Sequence, residues 1–179
     1  NIQLSTRCLI EWQLHTMVRP GEAVKVRWQD VDFEQALWTI PAEFMKKRRA
    51  HQVPLSSQAI ALLQLMHPIS GEQLYVFPSM RHKGSHINKE TANMALKRMG
   101  FANRLVAHGM RSLASTTLNE EGFYGDLVES ALAHEDKNQV RRAYNKAGYL
   151  KGRKDMMQWW SDHIQAAAQG NVSLAVVPE

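Results

Sequence analysis

From residue 88 onward the chain reads as helix almost without a break, in stretches of about 88–99, 108–121, 125–133, 137–147 and 149–168, with Gly100 and Gly122 among the breakers. A row of helices has to bury its apolar faces against one another or against whatever the first half supplies. Residues 3–17 carry Leu4, Cys8, Leu9, Trp12 and Leu14 close to a helical stripe, which halts at Arg19-Pro20-Gly21. Pro20 suits the first position of a further helix through about Arg27, with Val24 and Trp28 facing inward. Between residues 36 and 55 the pattern changes. Ala-Leu-Trp-Thr-Ile-Pro, then Glu-Phe-Met, then a basic turn, then His-Gln-Val-Pro-Leu predict three short antiparallel strands, with Lys46, Lys47, Arg48 and Arg49 at the second hairpin. A helix over 56–67 follows, opened by Ser56 or Ser57 and offering Ile60, Leu62 and Leu63 to the core, and Tyr75-Val-Phe-Pro is a short buried run. The expected fold is α+β and mainly helical, with a small three-stranded antiparallel sheet near residues 36–55 packed on a helical core.

No repeat, low-complexity tract or Pro/Gly/Ser linker divides the chain, and 179 residues with 44% hydrophobic content are enough for one core. One domain is expected over 1–168. The remainder, 169–179, is a tail that is either flexible or packs on a neighbouring subunit. The chain starts at Asn1 inside a helix-like pattern, so a piece of a longer protein is expected. Cys8 is the sole cysteine, which excludes an intramolecular disulfide and a thiolate zinc cluster. No apolar run is long enough to span a bilayer and no signal-peptide pattern opens the chain, so a cytoplasmic protein with no membrane partner is expected. Lys and Arg outnumber Asp and Glu by 22 to 17, a net +5 that favours a polyanion such as nucleic acid.

Against this background six polar residues stand out: Arg19, Lys46, His108, Arg111, His134 and Tyr144. They supply two guanidinium groups, an amine, two imidazoles and a phenol, the groups needed to attack a phosphodiester with a tyrosine. Neither a metal-ligand set nor a nucleotide-binding loop competes with them, so no cofactor is expected. Arg19 sits at a break beside a helix N-terminus, a favourable setting for phosphate. His108 and Arg111, three apart, project from one side of a helix. Either the basic tetrad is a solvated charged turn, or one of its lysines reaches into a groove as a proton donor. The loop from Arg81 through Lys83 to His86 is either a mobile surface loop or a strip lying along a phosphate backbone.

The order of the surrounding motifs resembles the catalytic domain of tyrosine recombinases over nearly the whole chain. TMVRPGEAVKVRWQD at 16–30 is similar to the family's first box, HGMRSLASTTL at 108–118 with ALAHED at 131–136 to its second, and RRAYNKAGY at 141–149 to its nucleophile segment. The phrase QWWSD at 158–162 looks most like enterobacterial prophage integrases.

That resemblance implies a metal- and ATP-independent DNA strand-transferase. Arg19 and Arg111 clamp the phosphate oxygens, His108 donates a hydrogen bond or takes the tyrosine proton, and His134 donates to the same phosphate. Tyr144 is the nucleophile, ten residues after His134, with Tyr149 as its rival. Lys46, eight residues before Pro54, or its neighbour Lys47 is the general acid. Glu22 stands at the acidic position of the first box, suited to orient a neighbouring catalytic side chain or to satisfy a helix dipole. Lys47, Arg48, Arg49, Arg81, Lys83 and His86 are the expected DNA contacts. The implied partners are double-stranded attachment sites, further protomers in a tetramer and accessory DNA-bending or directionality proteins, in the bacterial cytoplasm at the nucleoid. A topoisomerase using the same chemistry and an inactive or regulatory DNA-binding domain are the alternatives.

Overall fold

The computed structural model describes residues 2–134 and 146–169. Helix α1 (Leu4–Thr16) buries Cys8, Leu9 and Trp12, and ends where Met17 turns into the left-handed region at φ 55°. Arg19 then caps α2 (Pro20–Ala23), with Pro20 at its first turn as expected. This helix is a single turn and does not run to Arg27. Val24 and Val26 are both fully buried, and two positions two apart cannot share one helical face, so the chain extends before a 3-10 turn at Trp28–Asp30.

The three-stranded antiparallel sheet is present in the order β1 (Val31–Asp32), β2 (Leu37–Ile40), β3 (His51–Pro54), with Trp38 paired to both Val31 and Val53. Its first strand lies upstream of residue 36, and Glu43-Phe44-Met45 is not a strand. Pro41 lacks the N–H that would extend the ladder past the Ile40–His51 pair, and Ala42–Phe44 coils into a 3-10 turn instead. The turn of Lys46, Lys47 and Arg48, the last at φ 48°, then returns the chain to β3, so the basic tetrad still lies in the second connection.

Helix α3 (Ser57–Ser70) is capped by Ser56, whose hydroxyl accepts from the Ala59 N–H at 3.2 Å. It runs three residues beyond the expected end and carries Pro68 in its last turn. Leu62, Leu63 and Met66 point into the core, with Ile60 partly buried against it. Val76 and Phe77 are buried, although their segment pairs only through isolated bridges, Arg27 to Tyr75 and Pro78 to His86. The ring of Trp12 meets Trp38 at 5.2 Å and Phe77 at 6.4 Å, joining α1 to the sheet and to this segment.

The second half is helical as expected: α4 (Thr91–Leu96), a π turn at Lys97–Phe101 broken by Gly100 at φ 89°, α5 (Gly109–Glu120), α6 (Gly125–Ala131) and α7 (Lys146–Ala168). Gly122, at φ 82°, turns the chain after α5. Most of the helix expected over 137–147, and the tail 170–179, lie outside the described residues. Met156, Met157 and Trp160 of α7 enter the core, and the Trp160 indole donates to the Leu14 carbonyl at 2.8 Å. Helix α7 thus closes against the first helix of the chain.

Candidate active site

Arg19 owes its position to Glu22. One carboxylate oxygen accepts from the Arg19 backbone N–H at 2.9 Å and the other from its Nη1 at 3.0 Å. Glu22 is only 4% exposed, while the Arg19 side chain keeps 31% of its surface in solvent. The carboxylate both closes the helix end and aims the guanidinium.

Arg111, in the first turn of α5, is buried. Its Nη2 donates to the Leu132 carbonyl at 2.7 Å and its Nη1 to the Met17 carbonyl. Burial and then the nearby Arg19 cation push its pKa down to about 10, against the pull of Glu22 and Glu129, so it stays charged at neutral pH. His108 stands at the N-cap position of the same helix, its side chain making no capping bond, and is exposed. The H-x-x-R spacing thus holds one inward cation and one outward imidazole.

His134 follows α6 through a tight helix ending. Ala133 adopts φ 53°, its N–H donating to the Ser130 carbonyl at 3.2 Å, and the His134 N–H donates to the Glu129 carbonyl at 2.9 Å. The imidazole Nδ1 lies 2.8 Å from the Glu129 carboxylate. Arg19, His108, Arg111 and His134 all line one open cleft of about 430 Å³, with Ser112, Ser115, Thr116 and Leu132. Four of the six singled-out residues therefore converge.

Lys46 does not line the cleft. It is exposed on the β2–β3 connection, as are Lys47, Arg48 and Arg49. Arg81 and Lys83 are exposed on their loop, whereas His86 is half-buried, its Nδ1 donating to the Ile87 carbonyl at 2.8 Å and its ring edge-on to Tyr75. Tyr144 lies outside the described residues. The Tyr149 hydroxyl donates to Asp126 at 3.2 Å, a link between α7 and α6.

Three residues behind the cleft were not singled out in the sequence. His51, on β3, reaches the Ala131 carbonyl from Nε2 at 3.3 Å. Burial foremost, then Arg153, with smaller pushes from Arg111 and Arg19, brings its pKa down to about 4. Arg153 of α7 is buried, donates from Nη1 to the Ser130 carbonyl at 3.4 Å, and is lowered to about 10 by burial. Glu129 is the third. His51 stands in the HQVPL phrase and Glu129 five residues before His134, but neither position announces its partner.

Among the described residues, no group of three His, Cys, Asp or Glu side chains is placed to hold a metal ion, and no helix is long and apolar enough to cross a membrane.

A helical domain with a small antiparallel sheet, holding two arginines and two histidines at one cleft, has the architecture of a tyrosine recombinase catalytic domain. The chain belongs to the phage integrase family, whose pattern it matches over residues 1–150. It is 52% identical over 174 residues to the prophage integrase IntA of Escherichia coli K12, covering 97% of this chain and 42% of that protein. The integrase of Enterobacteria phage P4 is 34% identical over 191 residues, covering 98% and 44% respectively. The chain thus spans less than half the length of these relatives, and they agree with the enterobacterial prophage likeness of QWWSD. In fold it is similar to the integrase from mycobacterium phage Brujita, with TM-score 0.68 at 17% identity over 88% of this chain and 52% of that one. It is also similar to a XerH site-specific recombinase bound to its difH substrate, with TM-score 0.58 at 21% identity over 80% and 45%.

Proposed function

We propose that this chain is the catalytic domain of a site-specific recombinase that cuts and rejoins DNA through a 3′-phosphotyrosine bond, for integration or excision of a mobile element. The observation that carries this reading is the convergence of Arg19, His108, Arg111 and His134 on one open cleft, with Arg19 and Arg111 each held from behind.

In-line attack on a phosphodiester adds negative charge to the non-bridging oxygens, so cations fixed beforehand stabilise the transition state more than the ground state. Arg19 and Arg111 supply that charge with forked donors. The Tyr144 oxygen attacks phosphorus, the bond to the 5′ oxygen breaks, the phenol proton passes to His108, and Lys46 or Lys47 protonates the departing 5′ oxygen. His134 donates to the phosphate. The phosphotyrosine bond conserves the energy of the broken linkage, so a 5′ hydroxyl of another strand reverses the step without ATP or metal.

The exposed Lys47, Arg48 and Arg49 on the β2–β3 connection and Arg81 and Lys83 on their loop are suited to contact phosphates of the duplex. His86 belongs to the same surface with its ring packed. Recombination between two sites calls for a tetramer of protomers, with the tail 169–179 available to pack on a neighbour, and for accessory bending or directionality proteins. A cytoplasmic, nucleoid-associated location goes with that role.

A duplex nicked beside the scissile phosphate tests the reading, since loss of the short product traps the covalent complex. Wild type is expected to trap, Tyr144→Phe to bind DNA without trapping, and chelator to change nothing. Equal trapping by both proteins reassigns the nucleophile. Binding without trapping by wild type favours a DNA-binding regulator, and relaxation of supercoiled DNA without strand exchange favours a topoisomerase.

A further inference from the structure

We propose that Glu129 is a positioning residue for His134, holding its imidazole by Nδ1 so that Nε2 is the nitrogen offered to the phosphate. This rests on the recombinase reading of the cleft. His134 is tied to Glu129 twice, by its backbone N–H to the Glu129 carbonyl at 2.9 Å and by Nδ1 to the carboxylate at 2.8 Å. The helix ending at Ala133 folds the histidine back over the last turn of α6, directly above that side chain.

A carboxylate only accepts, so Nδ1 carries a proton and the ring cannot flip without losing this bond. A ring that donates from Nδ1 to Glu129 and from Nε2 to a phosphate oxygen carries both protons, with an anion on either side. The side chains are 45% and 55% exposed, and an ion pair so open adds little to folding stability. Orientation is what it provides. The other charged groups around the cleft are Arg19, paired with Glu22, at the α2 end and Arg111 on α5. The arrangement parallels the carboxylates that orient catalytic and metal-binding histidines elsewhere, whose removal typically costs about 10–100-fold in function.

The test is a double-mutant cycle in the full-length protein, using covalent trapping on the nicked duplex. Glu129→Gln is expected to slow trapping about 10–100-fold, with DNA binding and the thermal midpoint close to wild type. In a His134→Gln background, the same change should cost nothing further. Glu129→Asp should recover part of the rate. Equal losses in both backgrounds, or no recovery by Glu129→Asp, overturn the proposal while leaving the recombinase reading intact. Failure of wild type to trap overturns both.

Discussion

Arg111 donates to the carbonyl of Leu132 at 2.7 Å, and its other terminal nitrogen donates to the carbonyl of Met17. Each acceptor stands two residues before a cleft residue, Leu132 before His134 and Met17 before Arg19. One buried guanidinium therefore joins the two segments that complete the site. The bond belongs to a set: the carbonyls of Ser130, Ala131 and Leu132, at the end of α6, accept from Arg153, His51 and Arg111 respectively. The last carbonyls of a helix lack partners within it and carry the negative end of its dipole, so donors from three other elements, the Arg111 and Arg153 cations and the neutral His51 imidazole, cap it here.

Arg111→Lys should fail although it preserves the charge. A single ammonium cannot bond both carbonyls and still face the phosphate. Denaturant unfolding should show a loss of about 1–3 kcal/mol for the orphaned carbonyls, and covalent trapping a fall of about 100-fold or more. Wild-type trapping by the lysine variant would show that charge alone suffices.

Stability should decline in mild acid. His51 has its pKa lowered in the folded protein to about 4 from 6.5, so the unfolded chain takes up the proton first. The stability contributed by neutral His51 is complete above about pH 6.5 and is lost as pH falls toward 4. Buried His15, also lowered, acts with the same sign. Unfolding free energies at pH 7.5 and 5 should differ by about 2 kcal/mol from His51, and His51→Gln should flatten that slope. An unchanged slope in the variant would place the acid sensitivity elsewhere.

Ala133 occupies the left-handed region where glycine is at ease. Ala133→Gly should raise stability by about 0.5–1 kcal/mol and leave trapping unchanged, and Ala133→Val should lower both by disturbing the turn that carries His134. Thermal midpoints and the nicked-duplex assay measure this. A destabilised glycine variant would contradict the helix ending described for α6.

The choice between Lys46 and Lys47 can be made with the leaving group. Loss of the general acid should slow trapping by about 100- to 10,000-fold on ordinary DNA and cost little when the departing 5′ oxygen is replaced by sulfur, which leaves without a proton. Lys46→Ala is expected to show this rescue, and Lys47→Ala to lose at most the DNA affinity of one phosphate contact, with the same ratio of oxygen to sulfur cleavage as wild type. The reverse pattern assigns the role to Lys47.

Elements with a local cause were legible in the sequence. The stripe of α1, the proline opening α2, the serine cap of α3 and the glycine breaks of the second half all appear where short-range signals put them. Misreadings arose where tertiary burial overrode the local pattern. Val24 and Val26 both enter the core and stop α2 after one turn, while Phe44 lies in a coiled segment after Pro41 instead of a strand. In the site, Arg19, His108, Arg111 and His134 were recognisable because they sit in ordered motifs.

By itself the sequence determined the helical character of the second half, the small sheet, the family and the types of side chain brought to the cleft. Only the tertiary structure decided what holds those side chains. The bonds from Arg111 to Leu132, His51 to Ala131 and Arg153 to Ser130 cross 21, 80 and 23 positions of chain. A helix end needs its carbonyls satisfied, but which distant donor satisfies each one depends on how α5, α7 and the sheet pack around α6, and no local pattern encodes that.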